Sequence, residues 1–441
     1  MKFKLAILAS GKEDHLMTKK LCVVGLGYIG LPTAVMFANH GVPVHGVDVN
    51  ERAVNMIRNK QLHIEENGLQ ERLDQAIDSG MLSVSTEPIE ADVFIVAVPS
   101  PIREDRTADL EYVRKATASI VPYLKKGNLV ILESTVPPKT VEHIMLPELE
   151  KTGLQIGEEL FVAHSPERVI PGRIFEELEQ NGRIIGGIND KSAEMTKELY
   201  EAFVKGPIEL TDATTAELVK VMENTYRDVN IAFANEMAKI GEHLDVNIWD
   251  AIRFANFHPR VNIHQPGPGV GGHCIAVDPW FLVELAPEQS NIIHLSRKTN
   301  DGMPAFVADR VMQFVGDTDR KIAVLGLSFK ADVDDMRQSP SIDVIRSLEE
   351  KGFTVSSYDP HVNEGSHPTQ VATAEEAADG ASMILVLTNH QEFMKLNPDE
   401  IAGRMAERIV YDTKNCLDLA AWKAAGFKTY LLGDHKENTN E

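Results

Sequence analysis

The chain has 441 residues, of which 43% are hydrophobic and 25% are charged. This balance is typical of a globular protein, and the length predicts two or three domains. A formal net charge of −22 argues against nucleic acid or an anionic membrane surface as a partner, and no apolar run is long enough to cross a membrane. Three cysteines, Cys22, Cys274 and Cys416, are too few for a disulfide framework, so we expect a reducing, cytoplasmic compartment.

The first sixteen residues superficially resemble a signal peptide. Their apolar stretch is short, and the polar segment at residues 11–15 follows it at once, which argues against secretion. Another interpretation makes Met17 the natural start, because a strand is predicted a few residues later.

Alternating strands and helices begin at residue 21. The apolar run at residues 21–24 predicts a buried strand, residues 31–40 predict a helix, and residues 44–47 predict a second strand that leads into Asp48. Further strands are predicted at residues 93–98 and 129–132. This βαβ order indicates a parallel, doubly wound sheet.

The pattern then changes to one long helix at residues 214–243, on which apolar residues recur at helical spacing. A helix of this length is typical of a spine between domains or of a dimer surface. A second α/β block follows, with a helix at residues 341–350 and strands at residues 322–326, 354–358, 383–387 and 409–411. The predicted fold class is α/β, with two Rossmann-like doubly wound domains joined by a central helical domain that contains the spine helix.

Residues 25–30 read GxGxxG between the first predicted strand and the first helix. Gly25 permits the tight turn, Gly27 lets a pyrophosphate approach the backbone, and Gly30 lets helix and strand pack closely. Asp48 at the end of the next strand can accept from both ribose hydroxyls and would repel a 2′-phosphate, which favours NAD over NADP. A glycine turn without a ligand is the alternative, and the position of Asp48 counts against it.

Two loops after later strands, residues 98–101 and 133–137, are expected to reinforce this site. Ligands collect at the carboxyl ends of parallel strands, where both loops would lie. Taken alone, each loop is equally well interpreted as a plain proline turn.

Residues 267–274 place four glycines shortly before a cysteine. Such a backbone-rich turn can expose the thiol of Cys274, and a helix starting there would lower its pKa and put Asp278 one turn away. The alternative is a buried structural cysteine. That interpretation suits Cys22 and Cys416 better, since both lie in or beside apolar runs.

Several polar side chains could serve a ligand or could simply be solvated. Lys220 and Asn224 stand four residues apart on the predicted spine helix, so they share a face that could bind an alkoxide. From spacing alone, a solvated face is the commoner outcome. The loop at residues 165–172 sets a carboxylate beside a guanidinium, as in an exposed ion pair, and Arg260 and Lys330 are further cations.

In this order, the motifs resemble the UDP-glucose/GDP-mannose dehydrogenase family from about Lys20 to about Leu432. The segments that carry the resemblance are GLGYIG (25–30), ESTVPP (133–138), HSPERVIPG (164–172), AELVKVMENTYRDVNIAFANE (216–236), GPGVGGHCIAVDP (267–279) and LGLSFKADVDDMRQSP (325–340). The resemblance implies an N-terminal NAD-binding Rossmann domain at residues 1–205, a central helical dimerisation and catalytic domain at 206–305, and a C-terminal UDP-sugar-binding domain at 306–441. It also implies a homodimer.

The resemblance further implies a four-electron oxidation of a UDP-sugar at C6, with NAD as cofactor and Cys274 as the nucleophile. Lys220 and Asn224 would stabilise the oxyanion of the thiohemiacetal, and Lys220 would also transfer protons. Asp278 would support Lys220 and an ordered water. A thioester on Cys274 would then be hydrolysed.

The remaining site residues are also implied by the resemblance. Thr135 and Glu167 would position the hydrolytic water, and no metal is expected. The implied NAD contacts are Gly25, Gly27, Tyr28, Ile29, Gly30, Asp48, Arg52, Ser100 and Thr135. The implied nucleotide-sugar contacts are Arg168, Val169, Lys220, Asn224, Arg227, His258, Arg260, Gly271, Lys330 and Arg337.

The segments at residues 258–262 and 269–281 most resemble those of family members that act on UDP-N-acetyl-D-mannosamine, and this resemblance favours that substrate. Many relatives carry proline where this chain has Ala276. UDP-N-acetylglucosamine and UDP-glucose are the alternatives. A two-electron hydroxy-acid dehydrogenase would need neither the cysteine segment nor the second α/β block, and a non-enzymatic NAD-binding protein would not need the intact catalytic set.

Overall fold

The computed structural model describes residues 19–170, 172–316 and 319–434. The proposed start at Met17 lies outside the described residues. The chain divides into two compact units, of which the first ends at Glu223 and the second begins at Asn224.

The first unit contains an eight-stranded sheet. Its strands are β1 (Leu21–Val24), β2 (Val44–Val47), β3 (Leu82–Ser85), β4 (Val93–Val96), β5 (Leu129–Leu132), β6 (Phe161–His164), β7 (Arg183–Gly187) and β8 (Ile208–Asp212). Their spatial order is β3-β2-β1-β4-β5-β6-β7-β8, with β6 and β7 antiparallel. The first six strands follow the Rossmann order, which confirms the predicted doubly wound sheet.

Helices cover both faces of this sheet. They are α1 (Gly30–Asn39), α2 (Glu51–Arg58), α3 (Leu69–Asp78), α4 (Glu111–Ile120), α5 (Leu146–Leu149), α6 (Ile174–Gln180) and α7 (Asp190–Tyr200), with short 3-10 or π turns at Val121–Tyr123, Val141–Met145 and Glu150–Thr152. Because neighbouring strand residues face opposite ways, Leu21 and Val23 join the core beneath α1 while Cys22 and Val24 join the core beneath α4. Burial raises the pKa of the Cys22 thiol to about 11, as befits a structural cysteine.

The spine helix α8 (Ala213–His243) starts one residue before its predicted position and ends at the predicted residue. In the second unit, a buried polar network ties α8 to α11 (Asn291–Asp301). Asn235 donates to Asn300 at 2.8 Å, Asn300 donates to Asp228 at 2.8 Å, and Arg297 bonds Asp228 at 2.5 Å. A buried charge pair of this kind is strongly destabilising when only one partner is removed.

The second unit contains a five-stranded, all-parallel sheet. Its strands are β9 (Lys321–Leu325), β10 (Thr354–Tyr358), β11 (Met383–Val386), β12 (Ile409–Asp412) and β13 (Lys428–Leu431), in the order β10-β9-β11-β12-β13. Its other elements are α9 (Ile248–Ala255), α10 (Asp278–Leu285), α12 (Met303–Val315), α13 (Pro340–Glu350), α14 (Ala374–Ala378), α15 (Pro398–Ala402), α16 (Leu419–Ala424) and a 3-10 turn at Phe393–Lys395. This is the other common doubly wound strand order, so the second predicted Rossmann-like domain is also confirmed.

Among the described residues, none of the helices combines the length and apolar character needed to span a bilayer.

Candidate active site

The turn between β1 and α1 has the shape that a dinucleotide needs. Gly25 has a φ of +96°, and a side chain at Gly30 would collide with the Gly25 carbonyl oxygen. A Cβ added at Gly27 would meet nothing within 4 Å. Gly25 and Gly30 are therefore required by the fold, whereas Gly27 leaves open the space that a pyrophosphate would fill. Ile29 precedes α1 and offers no capping acceptor, which suits an anion at this helix N-terminus.

Asp48 lies beside this turn, directly after β2. Its Oδ2 accepts from the Leu26 N–H at 2.9 Å and its Oδ1 accepts from the Asn50 N–H at 2.8 Å. Each carboxylate oxygen has two lone pairs, so this half-buried side chain keeps acceptor capacity for ribose hydroxyls. Arg52 lies four residues further on, exposed in the first turn of α2.

The two later loops contact each other at the ends of their strands. The Ser100 hydroxyl donates to the Thr135 carbonyl oxygen, and the Ser134 hydroxyl donates to the Val98 carbonyl oxygen at 2.6 Å. Ser100 and Thr135 therefore lie together at the carboxyl ends of β4 and β5.

Tyr28 is tied to a segment that the sequence did not single out. Its hydroxyl donates to the Glu65 carbonyl oxygen at 3.0 Å and to the Glu66 carboxylate at 3.3 Å. The same carboxylate accepts from the N–H groups of Gly172 and Ile174 at 2.8 and 3.1 Å. Glu66 thus connects the nucleotide turn to the loop that follows β6.

Glu167 belongs to a buried ionic cluster at the ends of β5, β6 and β7. The guanidinium of Arg183 lies 2.6 Å from Glu167, 3.0 Å from the Ser165 hydroxyl and 3.6 Å from Glu133. The Tyr200 hydroxyl donates to Glu133, and the Tyr200 ring stacks 4.1 Å from the guanidinium. Burial raises the pKa of Glu133 to about 7, against the opposing charge of Arg183. Arg183, Glu133 and Tyr200 were not among the predicted site residues.

The side chains of Glu167 and Arg168 do not form the exposed ion pair that was the alternative interpretation of this loop. The Arg168 guanidinium instead lies 2.5 Å from Glu223 and donates to the Gly182 carbonyl oxygen at 2.9 Å. Val169 packs partly buried against the hydrophobic core. Glu167 is therefore free to take Arg183, which is almost fully buried, as its partner.

In the second unit, Asn224 and Asp278 form a direct pair. The Asn224 amide donates to Asp278 Oδ2 at 2.6 Å, and both side chains are buried. Lys220 lies one turn earlier on α8 and is half-buried. The carboxylate thus fixes the orientation of the Asn224 amide.

Cys274 is exposed, and it lies one turn before α10. The regular helix α10 begins at Asp278, so it does not start at Cys274 itself. The Cys274 carbonyl oxygen accepts from the Asp278 N–H at 2.9 Å, which closes a single helical turn between the two residues. The predicted one-turn separation is therefore present, ahead of the regular helix.

The glycines before Cys274 allow close packing against the loop between β9 and α13. A Cβ at Gly271 would lie 2.6 Å from the Gln338 carbonyl oxygen, and one at Gly272 would lie 2.8 Å from the Phe329 ring. Any side chain there would push this loop away. The glycine run therefore sets the distance between the cysteine segment and the loop that carries Lys330 and Arg337.

Arg337 is held at the surface by Asp335. Its Nε and Nη2 donate to the Asp335 carboxylate at 2.9 and 2.7 Å, and His273 Nδ1 lies 4.0 Å from the same group. The hydrogen bond with Asp335 raises the pKa of Arg337, and the charge of Cys274 contributes in the same direction. This cation therefore lies within electrostatic reach of the thiol.

The other predicted nucleotide-sugar residues of the second unit lie at its surface. Arg227 lines a cavity of about 840 Å³ together with Trp249, Phe257 and others. His258 and Arg260 share an exposed turn in which the Arg260 N–H donates to the imidazole of His258 at 3.3 Å. Lys330 is exposed.

Three family models match consecutive parts of the chain. Residues 19–204 match the NAD binding domain of the UDP-glucose/GDP-mannose dehydrogenase family, residues 214–302 its central domain and residues 323–419 its UDP binding domain. The chain belongs to this family. Membership makes it an NAD-dependent nucleotide-sugar dehydrogenase, as the sequence resemblance implied.

Individual relatives agree with this assignment. A UDP-N-acetyl-D-mannosamine dehydrogenase of Methanococcus maripaludis is 51% identical over 433 residues, covering 96% of this chain and 99% of that protein. An NDP-N-acetyl-D-galactosaminuronic acid dehydrogenase of Ralstonia solanacearum is 45% identical and covers 90% of this chain and 96% of its own. A solved UDP-D-ManNAc dehydrogenase from Pyrococcus horikoshii is 41% identical, with a TM-score of 0.89 over 94% of this chain and 99% of that one.

The turn geometry fits the cofactor that the family requires. The space at Gly27 would admit a pyrophosphate, and Asp48 retains acceptor capacity for the ribose. NAD is therefore the cofactor, as predicted. The individual NAD and nucleotide-sugar contacts, like the domain boundaries at residues 205 and 305, stay predictions.

Proposed function

We propose that the chain oxidises C6 of UDP-N-acetyl-D-mannosamine to a carboxylate, with Cys274 as a covalent nucleophile. One observation carries the proposal. An exposed thiol lies one helical turn before Asp278, which holds the Asn224 amide, and its segment packs on the loop of Arg337. Relatives that are 51% and 41% identical are named for dehydrogenation of this UDP-sugar, which supports the substrate.

The thiol makes the second oxidation step chemically feasible. NAD, when bound at the turn after β1, accepts two electrons in each of the two oxidation steps. The first step gives an aldehyde, from which a second hydride is not easily removed. Addition of the Cys274 thiolate gives a thiohemiacetal that can be oxidised to a thioester, and the covalent bond also retains the reactive aldehyde.

Asn224 and Lys220 would stabilise the oxyanion of the thiohemiacetal. An amide nitrogen has two N–H groups, and Asp278 accepts from only one of them at 2.6 Å, so the other can serve the oxyanion. Loss of one such donor typically costs about 10²–10³ in rate. Asp278 would act by orienting this donor, and Lys220 would supply a charge and a proton.

Hydrolysis of the thioester would fall to Glu167 and Thr135. The short ion pair with buried Arg183 holds the Glu167 carboxylate in one place at the end of β6. A fixed carboxylate can orient a water molecule and accept its proton as the water attacks. Arg183 would then be a positioning residue for this step.

Replacement of the thiol tests the covalent mechanism. Cys274→Ala should abolish formation of the acid while leaving NAD and UDP-sugar binding nearly intact, and the unmodified chain should release two NADH for each acid. Cys274→Ser should accumulate an ester that intact-protein mass spectrometry detects, because an ester is hydrolysed more slowly than a thioester. Cys416→Ala is the matched control and should keep its activity per folded molecule. Acid formation by folded Cys274→Ala at the unmodified rate would exclude the mechanism.

The sugar is tested with a panel of UDP-sugars assayed by NADH absorbance and product mass spectrometry. UDP-N-acetyl-D-mannosamine should give the highest kcat/KM. UDP-N-acetylglucosamine, UDP-glucose and UDP-N-acetylgalactosamine are the competitors, the last because of the relative from Ralstonia solanacearum. A clear preference for any of these would change the substrate and leave the covalent mechanism untouched.

We also propose a homodimer that uses α8, in a cytoplasmic compartment where the three cysteines stay reduced. Tyr226, Phe233 and Ile240 are large apolar residues seven positions apart on this helix, and each is exposed. Seven-residue spacing places them on one stripe that a second helix could cover. Phe233→Glu should shift the chain towards monomer in light scattering, whereas Glu236→Gln on the same helix should not. A monomeric unmodified chain would rule out the dimer.

A further inference from the structure

Four side chains of metal-binding type meet at the edge of the second sheet. Asp332 follows β9, His361 follows the neighbouring β10, and His390 and Glu392 follow β11 on the other side of β9. Their ligand atoms all lie within 4.8 Å of one another. The carboxyl ends of adjacent parallel strands bring them together, as they do in ligand sites of doubly wound sheets.

Three of the four are placed to share one ion. His361 Nε2 lies 3.3 Å from Glu392 Oε2 and 3.7 Å from Asp332 Oδ1. Zinc bonds nitrogen and oxygen at about 2.0–2.2 Å, which puts two ligand atoms of a tetrahedral site about 3.3–3.6 Å apart. The side chains of His361, Asp332 and Glu392 are 29%, 37% and 48% exposed, so an ion can reach them from solvent.

The fourth side chain, His390, is buried next to the other three and holds the Asp332 backbone through a hydrogen bond. It is fully buried, its Nδ1 accepts from the Asp332 N–H at 2.9 Å, and its Nε2 lies 3.0 Å from Asp359. The Asp332 carboxylate in turn accepts from the Gln391 N–H at 3.2 Å and from the Gln391 amide at 2.9 Å. Such outer hydrogen bonds orient metal ligands and maintain their affinity.

Asp332 also adopts an unfavourable backbone conformation that the surrounding residues must stabilise. Its φ is +58°, in the left-handed region that residues other than glycine seldom adopt. Conformations of this kind persist where the surroundings enforce them, often at ligand sites. Here, the hydrogen bonds to His390 and Gln391 supply that enforcement.

We propose that His361, Asp332 and Glu392 form a binding site for a divalent transition-metal ion of the Zn²⁺ type, with His390 as a positioning residue. One imidazole and two carboxylates suit such an ion, and a water would complete its coordination. Asp332 belongs to the loop that carries Lys330 and Arg337, so a bound ion would fasten this loop to the ends of β10 and β11. The site does not depend on the proposed reaction. The sequence predicted no metal, because the ligands come from three strand ends without a local spacing motif.

Zinc titration of the tag-free, chelator-treated full chain tests the site. Calorimetry should show one Zn²⁺ equivalent that persists in Cys274→Ala, which removes the exposed thiol as a competing ligand. His361→Gln and Glu392→Gln should lose this equivalent. Glu364→Gln and His367→Gln lie in the same stretch of chain and are the matched controls, which should bind as the unmodified chain does. A His390→Gln variant should bind about 10–100-fold more weakly, as expected for an outer hydrogen-bonding partner.

A second measurement, thermal unfolding, distinguishes loss of zinc binding from poor folding of a variant. An ion that binds only the native state raises the midpoint of thermal unfolding. Zn²⁺ should raise it for the unmodified chain and for Glu364→Gln, and should leave Glu392→Gln unchanged. Glu392 is nearly half exposed, so its amide variant is the safest to fold. Absence of a Zn²⁺ equivalent in Cys274→Ala, or equal binding by Glu392→Gln, would overturn the proposal.

Discussion

The two sheets share one local design, yet their equivalent aspartates are used differently. In each, a strand runs into a glycine with positive φ, Gly25 at +96° and Gly326 at +101°, and the neighbouring strand leads into an aspartate. Asp48 in the first sheet is half-buried. Asp359 in the second is only 3% exposed. The same backbone signal therefore produces both a half-buried carboxylate, which can face a ligand, and a buried structural one.

The protein itself supplies the partners of Asp359. Its oxygens accept from the N–H groups of Leu327, Ser328 and His361 at 2.7–3.0 Å and lie 3.0 Å from His390 Nε2. Burial would raise the pKa of Asp359, but the hydrogen bond from His390, with those from the backbone N–H groups, holds the pKa well below its ordinary value. Asp48 accepts from the N–H groups of Leu26 and Asn50, one at each oxygen, so each of its oxygens keeps a lone pair that suits a ribose hydroxyl.

The loops that follow Gly25 and Gly326 also differ between the two sheets. In the first sheet, α1 begins at Gly30, so backbone N–H groups meet the ligand space directly. In the second, α13 begins only at Pro340, and the long intervening loop carries Lys330 and Arg337. We infer that the first sheet binds its nucleotide mainly through backbone, while the second relies on side chains from a loop.

The largest expected effect is a difference in the free energy of unfolding between variants of Asp359 and Asp48. Asp359→Ala should lower the free energy of unfolding by ~3–5 kcal/mol, because it leaves buried His390 without its charged partner. Asp48→Ala should cost only about 1 kcal/mol, since it removes exchangeable, partly solvated hydrogen bonds. Trp249, Trp280 and Trp422 all lie in the second unit, so tryptophan fluorescence in urea follows the Asp359 variant directly. Equal losses from the two variants would contradict the comparison.

A smaller effect on stability should distinguish Gly27 from Gly30 in the turn between β1 and α1. Gly30→Ala would press on the Gly25 carbonyl and should destabilise the first unit by ~1–3 kcal/mol, as overpacking does. Gly27→Ala has open space and should change stability by no more than about 0.5 kcal/mol. It should instead weaken NAD binding, measured by calorimetry. A destabilised Gly27→Ala with unchanged NAD affinity would show that this space serves the fold.

In the first sheet, the strands that the sequence predicted are buried ones. Strands β1, β2 and β5 lie at their predicted residues because all their side chains are buried. Strand β3 alternates between buried and exposed positions and β8 is largely exposed, so neither gives a continuous apolar run.

The candidate site was predictable where the chain itself carries the pattern. The glycine turn, Asp48 and Cys274 belong to local motifs, and each lies in a conformation compatible with its predicted role. Arg183 and Glu66 could not be found this way, because their partners come from distant strands and loops. Local spacing identifies a site residue, but tertiary packing determines what that residue is bonded to.

The preference for NAD over NADP tests the role of Asp48 more directly than stability does. Asp48→Ala should reduce the preference for NAD over NADP by about 10–100-fold, the range expected when a hydrogen bond to a charged group is lost. The measurement is the ratio of kcat/KM for the two cofactors with the same UDP-sugar. Asp48→Asn is the control, because it keeps an acceptor for the ribose and removes the charge that repels a 2′-phosphate. An unchanged ratio in both variants would exclude the ribose contact.

The smallest effect concerns pH, and it has opposite signs in the two sheets. Burial raises the pKa of Glu133 at the end of β5 to about 7. A carboxyl with a raised pKa stabilises the fold fully below the ordinary value of about 4.3 and loses that contribution as pH rises towards 7. The lowered pKa of Asp359 does the reverse, so its contribution is present at neutral pH and is lost as the solution becomes acid.

Hydrogen exchange between pH 5 and 7.5, corrected for the intrinsic pH dependence of exchange, can separate these contributions. Amides of β5 should become less protected as pH rises in the unmodified chain, and Glu133→Gln should flatten this dependence because the amide does not titrate. Amides of β9, next to Asp359, should show no matching loss over the same range, since the Asp359 carboxylate is already ionised throughout it. If Glu133→Gln left the β5 profile unchanged, Glu133 would not be the group that titrates near pH 7.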